Sequence, residues 1–81
     1  MEKAVHVQYF AILREQRGQS EETLRTGAQT PKALYAQLKK DYRFTLPEDS
    51  VRVSINERFA DWQTELKSGD RLVFLPPVSG G

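Results

Sequence analysis

Arg71-Leu72-Val73-Phe74-Leu75 is the stretch on which the fold turns. Four consecutive apolar residues, β-branched and aromatic among them, are too few for a helix and read as a strand. No polar residue alternates with them, so the strand carries apolar side chains on both faces, as a strand at the middle of a sheet does. Whichever of the pairs Leu72/Phe74 and Val73/Leu75 points into the core, the other must lie on the opposite face. Before this strand, Leu66-Lys67-Ser68-Gly69-Asp70 forms a turn, and after it Pro76-Pro77-Val78-Ser79-Gly80-Gly81 leads away from the sheet.

The other elements follow from their periods. Val5, Val7 and Tyr9 alternate with His6 and Gln8, which predicts a first strand over residues 4–12 with the apolar set facing the core. The same alternation sends His6, Gln8, Phe10 and Ile12 to the outer face. A polar connection over 14–20, containing Gly18, leads to a short second strand over 21–25, and the two form an antiparallel hairpin. Thr30 and Pro31 mark a helix start, a capping hydroxyl followed by a proline whose missing N–H costs nothing at the first helical position. The main helix is expected over 31–42, with Leu34, Tyr35, Leu38 and Tyr42 on its core face. Val51, Val53 and Ile55 alternate with Arg52 and Ser54, and Asn56-Glu57 reverses the chain into Arg58-Phe59-Ala60.

The order strand, strand, helix, strands calls for a single mixed sheet packed on one main helix. A ferredoxin-like arrangement wants a second full helix, which the polar segment 61–64 is too short to supply. The expected fold is therefore α+β, a ubiquitin-like β-grasp with parallel first and last strands at the sheet centre. Residues 1–75 form the domain and residues 76–81 a flexible, extended tail ending in Gly-Gly.

Composition narrows the function. The 81 residues include 38% hydrophobic and 28% charged, ordinary for a globular domain, and no apolar stretch is long enough for a membrane span. Twelve basic residues against eleven acidic ones give no nucleic-acid footprint. With no secretory signal at Met1–His6, the expected location is cytoplasmic. The absence of cysteine excludes disulfides, thiolate metal sites and a cysteine nucleophile. One histidine, His6, cannot build a zinc site or a triad, so no metal and no bound cofactor are expected.

The tail offers chemistry. Pro76 and Pro77 favour an extended path, so residues 76–81 can project up to roughly 20 Å. Gly80 and Gly81 give the slimmest backbone available for entry into a narrow tunnel. A carboxylate on Gly81, with a pKa near 3.5, is ionised at neutral pH and is a poor electrophile until activated. ATP-dependent conversion to an acyl-adenylate opens two routes: attack by a persulfide, leaving a terminal thiocarboxylate, or attack by a lysine amine, giving an isopeptide-linked modifier. In both the chain is carrier and not catalyst, and its apolar outer face, with Phe10 beside the last strand, is where partners would dock. Burial of that face under the chain's own loops is the bland alternative.

Val7-Gln8-Tyr9-Phe10-Ala11-Ile12-Leu13-Arg14-Glu15 resembles the opening of the small subunit of molybdopterin synthase, and Ser68-Gly69-Asp70 through Pro76-Pro77-Val78-Ser79-Gly80-Gly81 resembles that family's ending. The resemblance implies a sulfur carrier of molybdenum cofactor biosynthesis. Gly81 would be adenylated by an activating enzyme that consumes ATP, and then thiocarboxylated with sulfur from a sulfurtransferase. The tail would enter the large subunit, in an assembly of two large and two small subunits, and convert cyclic pyranopterin monophosphate to molybdopterin. Phe10, Phe74 or Leu75, Pro76, Pro77, Val78 and Ser79 would dock, with Gly80 the slim neighbour of Gly81. Leu75 and Ser79 stand where relatives often carry phenylalanine and threonine. Arg14 and Glu15 match the family's pair, in a turn contact or in partner binding. The alternatives are a lysine-conjugated ubiquitin-like modifier and a sulfur carrier of another pathway such as thiamine biosynthesis.

Overall fold

A computed structural model describes residues 2–77. The elements are β1 (Lys3–Tyr9), α1 (Ala11–Arg17), β2 (Glu21–Thr26), α2 (Pro31–Tyr42), a single 3-10 turn (Glu48–Ser50), β3 (Arg52–Ile55), β4 (Arg58–Ala60) and β5 (Arg71–Leu75). They build one mixed five-stranded sheet in the order β2-β1-β5-β3-β4. β5 lies in the middle, parallel to β1 and antiparallel to β3. This is the α+β β-grasp arrangement, with the first and last strands adjacent.

Register assigns the faces. Tyr9, Phe74, Val53 and Ala60 lie in one row across the sheet, and Val7, Leu72, Ile55 and Arg58 in the next. The first row packs against α2, whose Leu34, Tyr35 and Leu38 are buried in the same core as Val5, Val7, Tyr9, Val53, Leu72 and Phe74. Tyr35 ties the layers together: its ring meets Phe74 at 5.3 Å and Phe44 at 6.0 Å, and its hydroxyl donates to the Leu46 carbonyl at 2.8 Å. α2 begins as its sequence predicts, with the Thr30 hydroxyl accepting from the Ala33 N–H at 3.2 Å and Pro31 in the first turn. The reversal at Asn56-Glu57 places both residues in the left-handed region, at φ 53° and 73°, the turn that matches strand twist in a two-residue hairpin.

One element departs from expectation. The first strand ends at Tyr9, and residues expected to be its last turn outward and a polar connection are instead the helix α1. Phe10 occupies the N-cap with no side-chain cap, Ala11 enters at φ 52°, and Gly18 closes the helix at φ 89° with its N–H on the Arg14 carbonyl at 2.9 Å. The alternation through Phe10 and Ile12 does not extend the strand: from Ala11 the chain is helical, and Leu13 is the residue of α1 that is buried. The described residues thus hold two α-helices, and the connection between β1 and β2 is the helix α1.

Candidate functional site

The outer face of the sheet is built around the root of the tail. Its central row runs Glu21, Gln8, Val73, Ser54, Phe59 from β2 to β4. Leu75, at the end of β5, stands opposite Arg52 on the same face as Val73. Phe10 continues the extended backbone of β1, at φ −131° and ψ 152°, so its side chain leaves on the side opposite Tyr9. Phe10 is 40% exposed, Ile12 on α1 is 37% exposed, and Phe59 on the edge strand is 69% exposed. Among the described residues, α1 and α2 pack on the other face, where Leu13, Leu34, Tyr35 and Leu38 share the core with Val7, Leu72 and Phe74.

The expected docking residues fall on different sides of the sheet. Leu75 and Pro76 are half-buried and Pro77 is exposed, and all three line a groove with Arg52 and Phe59. Phe74 is not available: at 0% exposure it packs against Tyr35 and Trp62 in the core, so of the expected pair Phe74 or Leu75 only Leu75 reaches the outer face. The reason is the pleat, since Phe74 shares its row with Tyr9 and Val53. Val78, Ser79, Gly80 and Gly81 lie outside the described residues. Arg14 and Glu15 are exposed on α1.

Phe59 was not anticipated as a site residue. Its ring, with Arg52, Leu75, Pro76 and Pro77, lines an open groove of about 590 Å³ beside the tail root, and the Arg52 guanidinium lies 5.8 Å from the ring centroid. The signal was present, because the turn at Asn56-Glu57 pairs Phe59 with Ser54, which the alternation of β3 already puts outside.

Two polar clusters flank this face. His6 bridges Thr23 (3.2 Å) and Glu21 (2.8 Å) across β1 and β2. On the core side of β2, Glu22 accepts from Arg17 Nε and Nη2, both at 2.7 Å, and from the Tyr9 hydroxyl at 2.6 Å. The Arg17 hydrogen bonds, with help from Tyr9 and Gln19, hold the Glu22 carboxyl below the usual carboxylate range against an opposing effect of burial. Burial first, and then Glu22, push the Tyr9 hydroxyl far above its ordinary value. Among the described residues, no group of histidines and carboxylates has metal-binding geometry, and no helix is long and apolar enough to cross a membrane.

A mixed sheet clasping one long helix, with the strand that leads into the tail at its centre, defines the ubiquitin-like β-grasp class. Within that class the chain belongs to the ThiS family, whose profile matches residues 7–81, a family of small sulfur carriers or ubiquitin-like modifiers. Such carriers are generally non-catalytic. Among solved structures, the chain is 32% identical to a Pyrococcus furiosus protein described as molybdopterin converting factor subunit 1, over 94% of this chain and 99% of that one, with a TM-score of 0.75. It is 27% identical to small archaeal modifier protein 1 from Methanosarcina acetivorans, over 100% and 99%, at 0.78. It is 29% identical to a chain in the complex of subunits 1 and 2 of the molybdopterin-converting factor from Helicobacter pylori, over 96% and 99%, at 0.65. No curated protein matches the sequence.

Proposed function

We propose that this chain is the sulfur carrier subunit of a molybdopterin synthase. The observation that carries the reading is the position of β5: bonded on both sides at the sheet centre, it delivers Leu75-Pro76-Pro77 to the outer face beside the exposed Phe59. A partner that grips Phe10, Leu75, Pro76, Pro77 and Phe59 thereby aims Val78-Ser79-Gly80-Gly81 into its own active site. The 32% likeness to a Pyrococcus furiosus protein described as molybdopterin converting factor subunit 1 supports this reading.

The chemistry proceeds in balanced steps. The Gly81 carboxylate attacks the α-phosphate of ATP on an activating enzyme, forming the acyl-adenylate and releasing pyrophosphate. The terminal sulfur of a sulfurtransferase persulfide attacks the acyl carbon and expels AMP. A thiol reductant then supplies two electrons to cleave the S–S bond, leaving the thiocarboxylate on Gly81. Inside the large subunit this sulfur passes to cyclic pyranopterin monophosphate, and water restores the carboxylate. Gly80 and Gly81 let the acyl group travel where a side chain would clash. The chain supplies the acyl carbon, the reach and the grip, and its partners supply acid–base catalysis.

The test is intact-mass analysis after incubation with activating enzyme, sulfurtransferase and ATP. Exchange of one oxygen for sulfur at Gly81, and loss of molybdopterin formation on deleting Gly81, are the expected results. A deletion variant as active as the parent in a reconstituted synthase would end the proposal. A second reading, conjugation to lysines, draws on the 27% likeness to small archaeal modifier protein 1 along the whole chain. It predicts isopeptide adducts on denaturing gels with ATP and activating enzyme present.

A further inference from the structure

Among the described residues, two of the three exposed large apolar side chains, Phe10 and Ile12, belong to the start of α1, so the pose of that helix decides how they meet a partner. The helix cannot hold its pose alone. Seven residues are too few for independent stability, its N-cap has no side-chain bond, and Leu13 is its one buried residue. Ala11 enters it in the left-handed region, a conformation that costs a non-glycine residue about 1 kcal/mol or more and persists only where the surroundings impose it.

The restraint comes from the far end. The carboxylate of Glu22 takes both Arg17 bonds, the Tyr9 hydroxyl, and Gln19 Nε2 at 3.1 Å. Arg17 also lies 4.0 Å from the centroid of the Tyr42 ring, so its guanidinium is held edge-on by an anion from β2 and face-on by an aromatic from α2. One residue earlier, Gln16 donates to the Thr45 hydroxyl at 3.0 Å and accepts from the Thr45 N–H at 3.2 Å. Three separate parts of the fold therefore converge on residues 16 and 17, whereas among the described residues no side-chain hydrogen bond grips residues 10–12.

We propose that Arg17 and Glu22 are positioning residues of the docking face: their ion pair, seated between Tyr9 and Tyr42, locks α1 in the pose that offers Phe10 and Ile12 to a protein partner. The inference rests on the reading of this face as a docking surface. Neither residue touches the partner or the reacting carboxyl; they act through the helix. The lock is also selective, because it spares β5 and the tail root, whose positions depend on the sheet ladder.

The experiment measures affinity of the full chain for the large synthase subunit by calorimetry, with amide exchange read in parallel, for wild type, Arg17→Met, Arg17→Lys, Glu22→Gln and Phe10→Ala. Arg17→Met and Glu22→Gln should lose amide protection over residues 11–17 while β1 and β5 keep theirs, and should bind between about 2-fold and about 30-fold more weakly, the range for residues that act through a coupled element. Arg17→Lys, which keeps the charge but not the fork, should fall between wild type and Arg17→Met. If Phe10→Ala binds more weakly but Arg17→Met and Glu22→Gln bind as wild type, the lock is wrong and the docking face stands. If Phe10→Ala binds as wild type, the docking role of this helix is wrong and the inference goes with it. Should the wild-type chain itself not bind the large subunit, the proposed pathway fails, and amide exchange alone judges the lock: undiminished protection of residues 11–17 in both variants overturns it.

Discussion

Phe74 and Leu75 are neighbours in sequence with opposite duties. Phe74 sits at the hub of an aromatic cluster with Tyr35 and Trp62, and truncation to alanine should cost about 3–5 kcal/mol, the usual consequence of emptying a large buried aromatic site. Leu75→Ala removes a half-buried side chain from the outer face, and should leave thermal unfolding close to wild type while weakening partner binding. A denaturant midpoint that drops equally for both would show that Leu75 is a core residue after all. The sequence left this choice between the two open, because an unbroken apolar run has no period to read; only the register with Tyr9 and Val53 resolves it. Phe59 was different. Its outward direction was implied by the turn two residues before it, and what hid it was the shortness of β4, three residues with no alternation of their own. Gly80 and Gly81 owe their assignment to composition and family likeness alone, since a slim polypeptide end has no packing signature.

At the level of elements, the helix α2 and strands β2 to β5 were legible because each carries its own signal: a hydroxyl-proline start, a period of two, or a polar turn. α1 was not. Phe10 offers no capping oxygen, the strand alternation runs on through it, and the first helical residue adopts a dihedral that no propensity scale favours for alanine. The only helical cues were basic residues in the last turn and Gly18 behind them, which read equally well as a loop. The Asn56-Glu57 turn shows the converse, a correct reading of a suboptimal sequence. Glu57 holds φ 73°, where glycine pays no steric penalty, so Glu57→Gly should raise stability by about 1 kcal/mol. Chemical denaturation checks it, and a loss of stability would mean that the Glu57 side chain contributes more than its backbone strain removes.

For the molecule as a whole, acid response follows from Glu22. Its folded-state pKa is depressed, chiefly by Arg17, so the fold favours the ionised form. That contribution is present above the unfolded carboxylate value of about 4.3 and is lost as pH falls through the lower folded value. Glu22→Gln should therefore be less stable than wild type at neutral pH by about 1–3 kcal/mol, and the two denaturation midpoints should converge in strong acid. A constant gap across the whole pH range would assign the effect to shape and not to charge. The central placement of β5 has a mechanical meaning as well. A machine that tugs on the chain beyond Leu75 loads a strand tied to β1 on one side and to β3 on the other, four residue pairs with each. Such a load slides the rungs of both ladders at once instead of unzipping them singly, so an enzyme can haul on this molecule's handle without pulling it apart.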